Sequence, residues 1–397
     1  MLELILILVG GAVPLVVAYS LGKLCLPSAP DVIALGVGAA LESLLVFGLL
    51  SAGIARPAAF MALAAAGLAP LGWLRPRPRI SAPRGPILLI FAAYGILYLI
   101  HALAPEIEPD AVSYHLGLVA EYARLGGFPD RVGFFEMLPQ GMEMLFLFAF
   151  AIGKHSAAKL VHFGFLLATV PLMIELGRRM RLPDRLSGAA AAFYFCAPVV
   201  GITGSSTYND AASVFFTLAT LLALLLWKQE GEDRYLLAAG LLAGFCYAIK
   251  MNGILVPLLA AAFVASARRL RPLLALAAAA LLAIAPWMIR NAMVAGNPVS
   301  PLGNAIFPTQ YFHLPMEQAL VENWRHYHGV SRAAAPWELT LGGKLEGTVG
   351  PVFLLAPIGL LALRSALGRW TWLAAALLAI PWLSNEGARF LMPRKLV

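Results

Sequence analysis

Charge is what this sequence has least of. Asp, Glu, Lys and Arg make up only 13% of its 397 residues, against 60% hydrophobic residues. That balance excludes an ordinary soluble domain, in which about a quarter of the residues are charged. Cysteine is nearly absent too. Cys25, Cys196 and Cys246 lie in or beside apolar segments with no paired spacing, which excludes a disulfide framework and a zinc knuckle. Acids are scarcer than bases, 21 against 29, for a formal charge of +8. The bases sit in short loops between apolar runs, the positive-inside pattern of membrane proteins, so no nucleic-acid partner is expected. No cleavable leader is expected either. MLELILILVGGAVPLVVAYSLGK has no basic n-region and no convincing cleavage site, and reads as a retained span.

What is present is one apolar run after another. Segments of about 17–25 apolar residues are long enough to cross a bilayer core of roughly 30 Å. They are continuously apolar and rich in Leu and Ala rather than alternating, so they predict helices and not a barrel. The spans expected are 2–22, 32–53, 57–74, 86–104, 157–176, 187–204, 209–227, 235–250, 253–267, 272–289, 347–363 and 370–384, with 138–153 as a weaker thirteenth. The fold class expected is therefore an all-α polytopic transmembrane bundle of about 12–13 spans, with amphipathic interfacial helices in its outer-face loop.

Four basic loops set the orientation: RPRPRISAPR (75–84), RRMRLPDR (178–185), RRLR (268–271) and RSALGR (364–369). With all four on the cytoplasmic side the spans alternate correctly, provided 138–153 and 157–176 make one net crossing. Residues 138–153 are short and carry Glu143, which suits a partial insertion. Residues 105–137, 204–210, 250–253, 291–346 and 385–390 then share the outer face. A multi-pass protein of the cytoplasmic membrane with an outward-facing site is expected.

The polar residues of that face are the candidates. In APEIEPDAVSYHLG, three carboxylates, Glu106, Glu108 and Asp110, fall within five residues at the mouth of a span. A carboxylate at a membrane boundary is suited to general-base work. It is equally suited to keeping a loop wet, and Pro109-Asp110 before AVSYHLGLVAEYARLGG resembles an N-cap. Val112, Leu116, Val119 and Ala123 share one face of the helix that would follow, as in an interfacial helix, and Tyr114 and His115 stand one turn from Asp110. Glu143 sits among apolar residues, where an ionised carboxylate needs a partner or water. Tyr208, Asn209 and Asp210 open a span, and an acid there also complements the helix dipole. Lys250, Asn252, Arg290 and Arg389 are placed to bind an anionic group, or to snorkel. His313, His326 and His328 read as loop residues without zinc spacing.

Taken in order, PDAVSYHLGLVAEY (109–122), LPQGMEMLF (138–146), YNDAASVFF (208–216), IKMNGILVP (249–257), PWMIRNAMVAGNPVSPLGNAIF (286–307) and ARFLMP (388–393) resemble the GT-C superfamily of polytopic membrane glycosyltransferases. The likeness is to the branch of protein O-mannosyltransferases, aminoarabinose transferases and lipopolysaccharide-core transferases. The resemblance implies a donor of polyprenyl-phosphate-linked sugar and a glycan, lipid or protein acceptor outside the cytoplasmic membrane, within membrane lipid. It implies inverting transfer with Asp110 as general base. Glu106, Glu108, Tyr114, His115, Glu143, Tyr208, Asp210, Lys250, Asn252, Arg290 and Arg389 would line the substrate cavity. No cofactor is certain; a divalent metal held by the three acids is allowed.

The resemblance divides the chain into N-terminal helices of unassigned role (1–85) and a transferase module (86–397) with outer loops 105–137 and 291–346. Members usually begin with the span leading into the catalytic loop and continue past the RFLMP-like segment. Three extra spans at the start and a C-terminal truncation are therefore expected here. A transporter or flippase for a lipid or small solute is the alternative. Its weakness is that polarity gathers at one face with no visible repeat, whereas transporters commonly carry repeated halves and midplane polarity. A non-catalytic scaffold is the third reading, and it would not require the acidic cluster.

Overall fold

The computed structural model describes residues 1–79, 81–83, 85–266, 268–326, 329–383 and 387–389. Among these residues there is no strand, and helices form a polytopic bundle. In chain order they are α1 Leu2–Cys25, α2 Asp31–Ser51, α3 Pro57–Leu68, α4 Pro70–Leu74, α5 Ile87–Leu103, α6 Leu116–Leu125, α7 Gly141–Arg179, α8 Asp184–Phe195, α9 Pro198–Gly204, α10 Asp210–Glu230, α11 Asp233–Ile249, α12 Leu255–Ala265, α13 Leu270–Ala295, α14 Leu314–His326, α15 Ala335–Trp337 and α16 Ala366–Leu378. A π turn, Ala111–His115, leads into α6, and an apolar 3₁₀ segment, Pro351–Arg364, precedes α16.

Among the described residues six helical segments are long and apolar enough to cross a membrane: α1, α2, the α3–α4 stretch, α7, α10 and α13. The α8–α9 pair, bent by 69°, makes a seventh if taken as one span. Several other runs expected as spans form shorter helices. At 17 residues, α5 and α11 rise about 26 Å at 1.5 Å per residue, the low end for a crossing. The bend between α8 and α9 falls at Pro198, whose ring and missing N–H stop a continuous ladder. Helix α7 breaks at Lys154, with φ 61° and ψ −153°. Its first arm, 141–153, rises only about 20 Å, so the two arms together supply one full-length crossing.

Small residues let the backbones meet. α1 and α2 run antiparallel, and a Cβ placed on Gly38 would stand 1.6 Å from the Ala18 carbonyl oxygen. The same atom on Gly22 would stand 1.7 Å from the Ala34 oxygen. α11 packs against α13 in the same manner, Gly244 against the Ala280 carbonyl. Close packing through small residues is how apolar helices associate where lipid removes the hydrophobic drive. The buried side chains form one main cluster through α1, α2, α7, α10, α11 and α13, centred on Phe146, Phe165, Phe215, Phe216 and Phe245.

Polar contacts sort to the two ends of the bundle. At one end, Lys23 pairs with Asp31 (2.6 Å), Arg179 with Glu230 (2.8 Å) and Arg178 with Asp184 (2.8 Å), while Arg234 bonds Ser28 (2.6 Å). Arg271 lies 3.6 Å from Asp233 at the same end. Loops 75–84, 178–185 and 268–271 thus share what is here termed the basic end. At the other end gather 104–140, 205–210, Lys250 and the segments near 346 and 389.

Substituting Gly38→Leu is expected to force α1 and α2 apart and to cost at least about 1–3 kcal/mol. Gly48→Ala, where the added Cβ meets nothing within 4 Å, should be neutral or stabilising by up to about 1 kcal/mol. Unfolding of both variants in the same detergent reads the contrast; equal stabilities would count against the packing described.

Candidate functional site

Arg389 organises the site end. Its Nη2 lies 2.5 Å from Asp110 Oδ2, and its Nε lies 3.1 Å from Glu346 Oε2. The guanidinium stands 5.1 Å over the Tyr208 ring centroid. Burial alone would favour its neutral form, but Asp210, Asp110 and Glu346 together raise its pKa above the ordinary arginine value. It is a fixed cation. Beside it Lys250 Nζ pairs with Asp210 Oδ1 at 2.9 Å. Two cations and three carboxylates from segments scattered along the chain therefore meet at one end of the bundle.

The N-cap reading that Pro109-Asp110 also allowed is not what the structure shows. The dihedrals of Asp110 are helical (φ −66°, ψ −39°) and its side chain makes no cap bond; the carboxylate turns to Arg389 instead. The amphipathic register expected for 111–125 is corrected too. The π turn advances the chain one residue per turn beyond the α period. Leu116, Val119 and Tyr122 are buried as a result, but Val112 is half exposed.

The three clustered acids diverge. Glu106 accepts from the Thr207 amide (2.8 Å) and hydroxyl (2.9 Å), and Glu108 accepts from the Tyr208 hydroxyl (3.2 Å). Burial opposes ionisation of Glu106, but the Thr207 amide and the Lys159 ammonium outweigh it and hold the carboxyl below its usual range. The acids thus tie the 105–110 loop to the 205–208 turn. Among the described residues no group of three metal-ligating side chains converges, so the metal site allowed by the sequence does not fit this arrangement.

His115 and Glu143 form a buried pair, Nδ1 to Oε1 at 2.5 Å. Glu143 has found its partner by facing back across the 116–140 segment. Tyr114 stacks on Phe135 at 4.1 Å. Burial, with Asp110 adding to it, pushes the Tyr114 phenol well above its usual range, and burial raises Tyr208 as well. The Tyr208 phenol is a hydrogen-bond donor here, to Glu108. Asn252 lines a cavity of about 40 Å³ with Asp210, Lys250, Leu378 and Arg389, room for a few waters and not for a sugar.

Arg290 is not part of this cluster. Its guanidinium donates to the Glu136 carbonyl (2.9 Å) and lies 4.1 Å over the Phe128 ring. Asn291 bonds the Met137 carbonyl at 2.7 Å beside it. The pair pins the 128–137 segment to α13, which corrects the expectation of three cations around one cavity. Of the loop histidines, His313 is exposed, while His328, like residues 385, 386 and 390, lies outside the described residues.

Three participants were not singled out in the sequence. Glu346 holds Arg389 from a turn at φ 57°, just before Gly347 at φ 105°; an acid beside a glycine was its only local signal. Lys159 is fully buried, and its ammonium donates to the Ala104 carbonyl (3.0 Å). His162 is fully buried as well. Its Nδ1–H donates to the Ser206 carbonyl (2.8 Å), and its Nε2 accepts from the Ala211 and Ala212 amides (3.1 and 3.3 Å). An imidazole that donates through one nitrogen and accepts through the other is neutral. It supplies the N-terminal cap of α10 that Asn209 does not.

A family model described as a domain of unknown function (DUF8201) matches residues 143–328. The match takes in Glu143, Tyr208, Asp210, Lys250, Asn252 and Arg290, while Asp110, Glu346 and Arg389 lie outside it. No curated protein and no solved structure matches the chain.

Removing the Glu106 carboxylate (Glu106→Ala) should cost about 1–3 kcal/mol, the range for hydrogen bonds to a charged group, and should speed hydrogen exchange at the Thr207 amide. The folded-state pKa of Glu106 is depressed, so its contribution is present above the ordinary value of 4.5 and is lost as pH falls through the lower folded value. The protection factor of the Thr207 amide in wild type, its exchange relative to the intrinsic rate at each pH, should fall over that acid range, and a flat profile there would contradict the tether.

Proposed function

We propose that the chain is a membrane glycosyltransferase that moves a sugar from a polyprenyl-phosphate carrier to an acceptor hydroxyl at the site end. The observation that carries this reading is the meeting of Asp110 with Arg389, Lys250 and Asp210 at one end of an apolar bundle. A transferase acting on a lipid-phosphate sugar needs a carboxylate to take a proton and fixed cations to receive the departing phosphate. Both are present within one ion-pair cluster, at the level where a lipid phosphate resides.

In this reading Asp110 accepts the proton of the acceptor hydroxyl as its oxygen attacks the anomeric carbon. The new C–O bond forms while the bond to the phosphate oxygen breaks, and the phosphate leaves with the electron pair. Attack opposite the leaving group inverts the configuration. Arg389 and Lys250 take the phosphate charge. For that, the phosphate replaces the carboxylates of Glu346 and Asp210 on the two cations, and Asp110 is released toward the acceptor. The described cavity does not hold a sugar, so donor binding also parts the surrounding loops. The buried His115–Glu143 pair and the phenols of Tyr114 and Tyr208 act as the wall that positions the acceptor. The outward orientation and the envelope acceptor belong to this proposal.

Loss of a positioned base costs about 10²–10⁴-fold in rate. Membranes carrying Asp110→Asn should therefore consume a polyprenyl-phosphate sugar at least a hundredfold more slowly than wild type. The assay is turnover of a panel of such donors. An Asn variant that keeps more than a tenth of the wild-type rate would remove Asp110 from the base role, and a chain inert to the whole panel would remove the transferase reading.

A further inference from the structure

A second cavity opens at the basic end, remote from Asp110. Its volume is about 630 Å³, within the ~300–1,000 Å³ of small-molecule sites. Five cations line it: Lys23, Arg77, Arg79, Arg179 and Arg234. Three carboxylates, Asp31, Glu175 and Glu230, share the wall, so five positive against three negative leaves the lining at +2.

The carboxylates orient the cations without neutralising them. Glu175 and Glu230 hold Arg179 at 3.0 and 2.8 Å, and Asp31 holds Lys23 at 2.6 Å. Arg234 pairs with Glu232 at 2.6 Å and is fixed by Ser28 at 2.6 Å and by the Tyr235 ring, 4.9 Å from its Cζ. Its Nε–H is buried with no acceptor among the described residues. The side chains of Arg77 and Arg79 are exposed at the mouth and form no ion pair among the described residues. Guanidinium groups approaching one space from several elements, with unused N–H donors, suit an anion that offers several oxygens. A phosphate supplies three or four acceptors and a negative charge that the excess of cations favours.

Two walls of this cavity come from the N-terminal helices. Lys23 ends α1, Asp31 opens α2, and 76–79 follow α4. The transferase reading gives these helices no role. We propose that they build, with the ends of α7, α10 and α11, a binding site for a phosphate group at the basic end of the bundle. The site is independent of the transferase chemistry. Its level at the helix ends makes two sources of phosphate available, an anionic lipid headgroup or a soluble phosphorylated molecule.

The experiment uses the full chain. Native mass spectrometry compares retention of phosphatidylglycerol with phosphatidylcholine, and thermal unfolding in phosphatidylcholine nanodiscs is followed with inorganic phosphate and pyrophosphate. The double variant Arg77→Gln/Arg79→Gln, at exposed positions, and Arg234→Gln are compared with wild type. Arg185→Gln, an exposed cation of a basic loop that does not line the cavity, is the control. Selective retention of phosphatidylglycerol that pyrophosphate does not displace assigns the headgroup. Stabilisation by pyrophosphate in phosphatidylcholine assigns the soluble source. In either case the cavity variants should bind about tenfold more weakly or worse, with Arg185→Gln unchanged. No preference for either anion, or an equal loss in Arg185→Gln, overturns the proposal.

Discussion

A charge in an apolar bundle must be met by another charge, and Arg389 is where that requirement is most demanding. Its guanidinium is mostly buried, 16% exposed, and its three carboxylate neighbours come from the segment after α5, the start of α10 and the turn at 346. Two of these neighbours are anchored in turn. Asp210 reaches Lys250, and the 105–110 loop reaches the 205–208 turn through Glu106 and Glu108. The result is a network in which loops far apart in the chain are fixed by electrostatics, while the helices beneath are fixed by glycine contacts and aromatic packing. The two kinds of order occupy different layers of the molecule.

The layering follows from where water and lipid lie. Backbone groups in an apolar medium must bond within their own helix, so irregular chain is confined to the ends. The one sharp break inside a long helix, at Lys154, lies near the turn from α5 into the site loops. Ser156 Oγ bonds the Leu103 carbonyl (3.2 Å) and Lys159 the Ala104 carbonyl (3.0 Å), so the helix just after the break takes up the carbonyls freed at the end of α5. His162, one turn further, caps α10. A single stretch of α7 therefore serves the open ends of two other helices.

Much of this was legible from the chain, for reasons that differ by residue. Apolar runs and the sorting of Lys and Arg into loops are local properties, so the helices and the gathering of polar segments at one end could be read directly. Asp110, Asp210, Lys250 and Arg389 stood out because charge is rare here. Their pairing was not legible, because it depends on where loops 40 residues apart, for Asp210 and Lys250, or 279 apart, for Asp110 and Arg389, come to rest. Arg290 was misplaced for the same reason: nothing local shows that its donors are spent on the Glu136 carbonyl. His162 and Lys159 were hidden inside an apolar run, where their spacing matches that of any helix residue. The π turn at 111–115 carries no composition signal, and the shift of Val112 off the buried face followed from it.

The pairing of Asp110 with Arg389 also has a consequence in time. During synthesis the acid emerges first and its partner 279 residues later. At ~5–20 residues per second, Asp110 spends on the order of tens of seconds at the bundle end before the guanidinium that fixes it exists. Throughout that interval the site loops have no central cation to close upon, and the helices must be folded and held by their own packing. The ion pair therefore joins segments 279 residues apart only after the helices between them exist, a latch that engages on packing already in place.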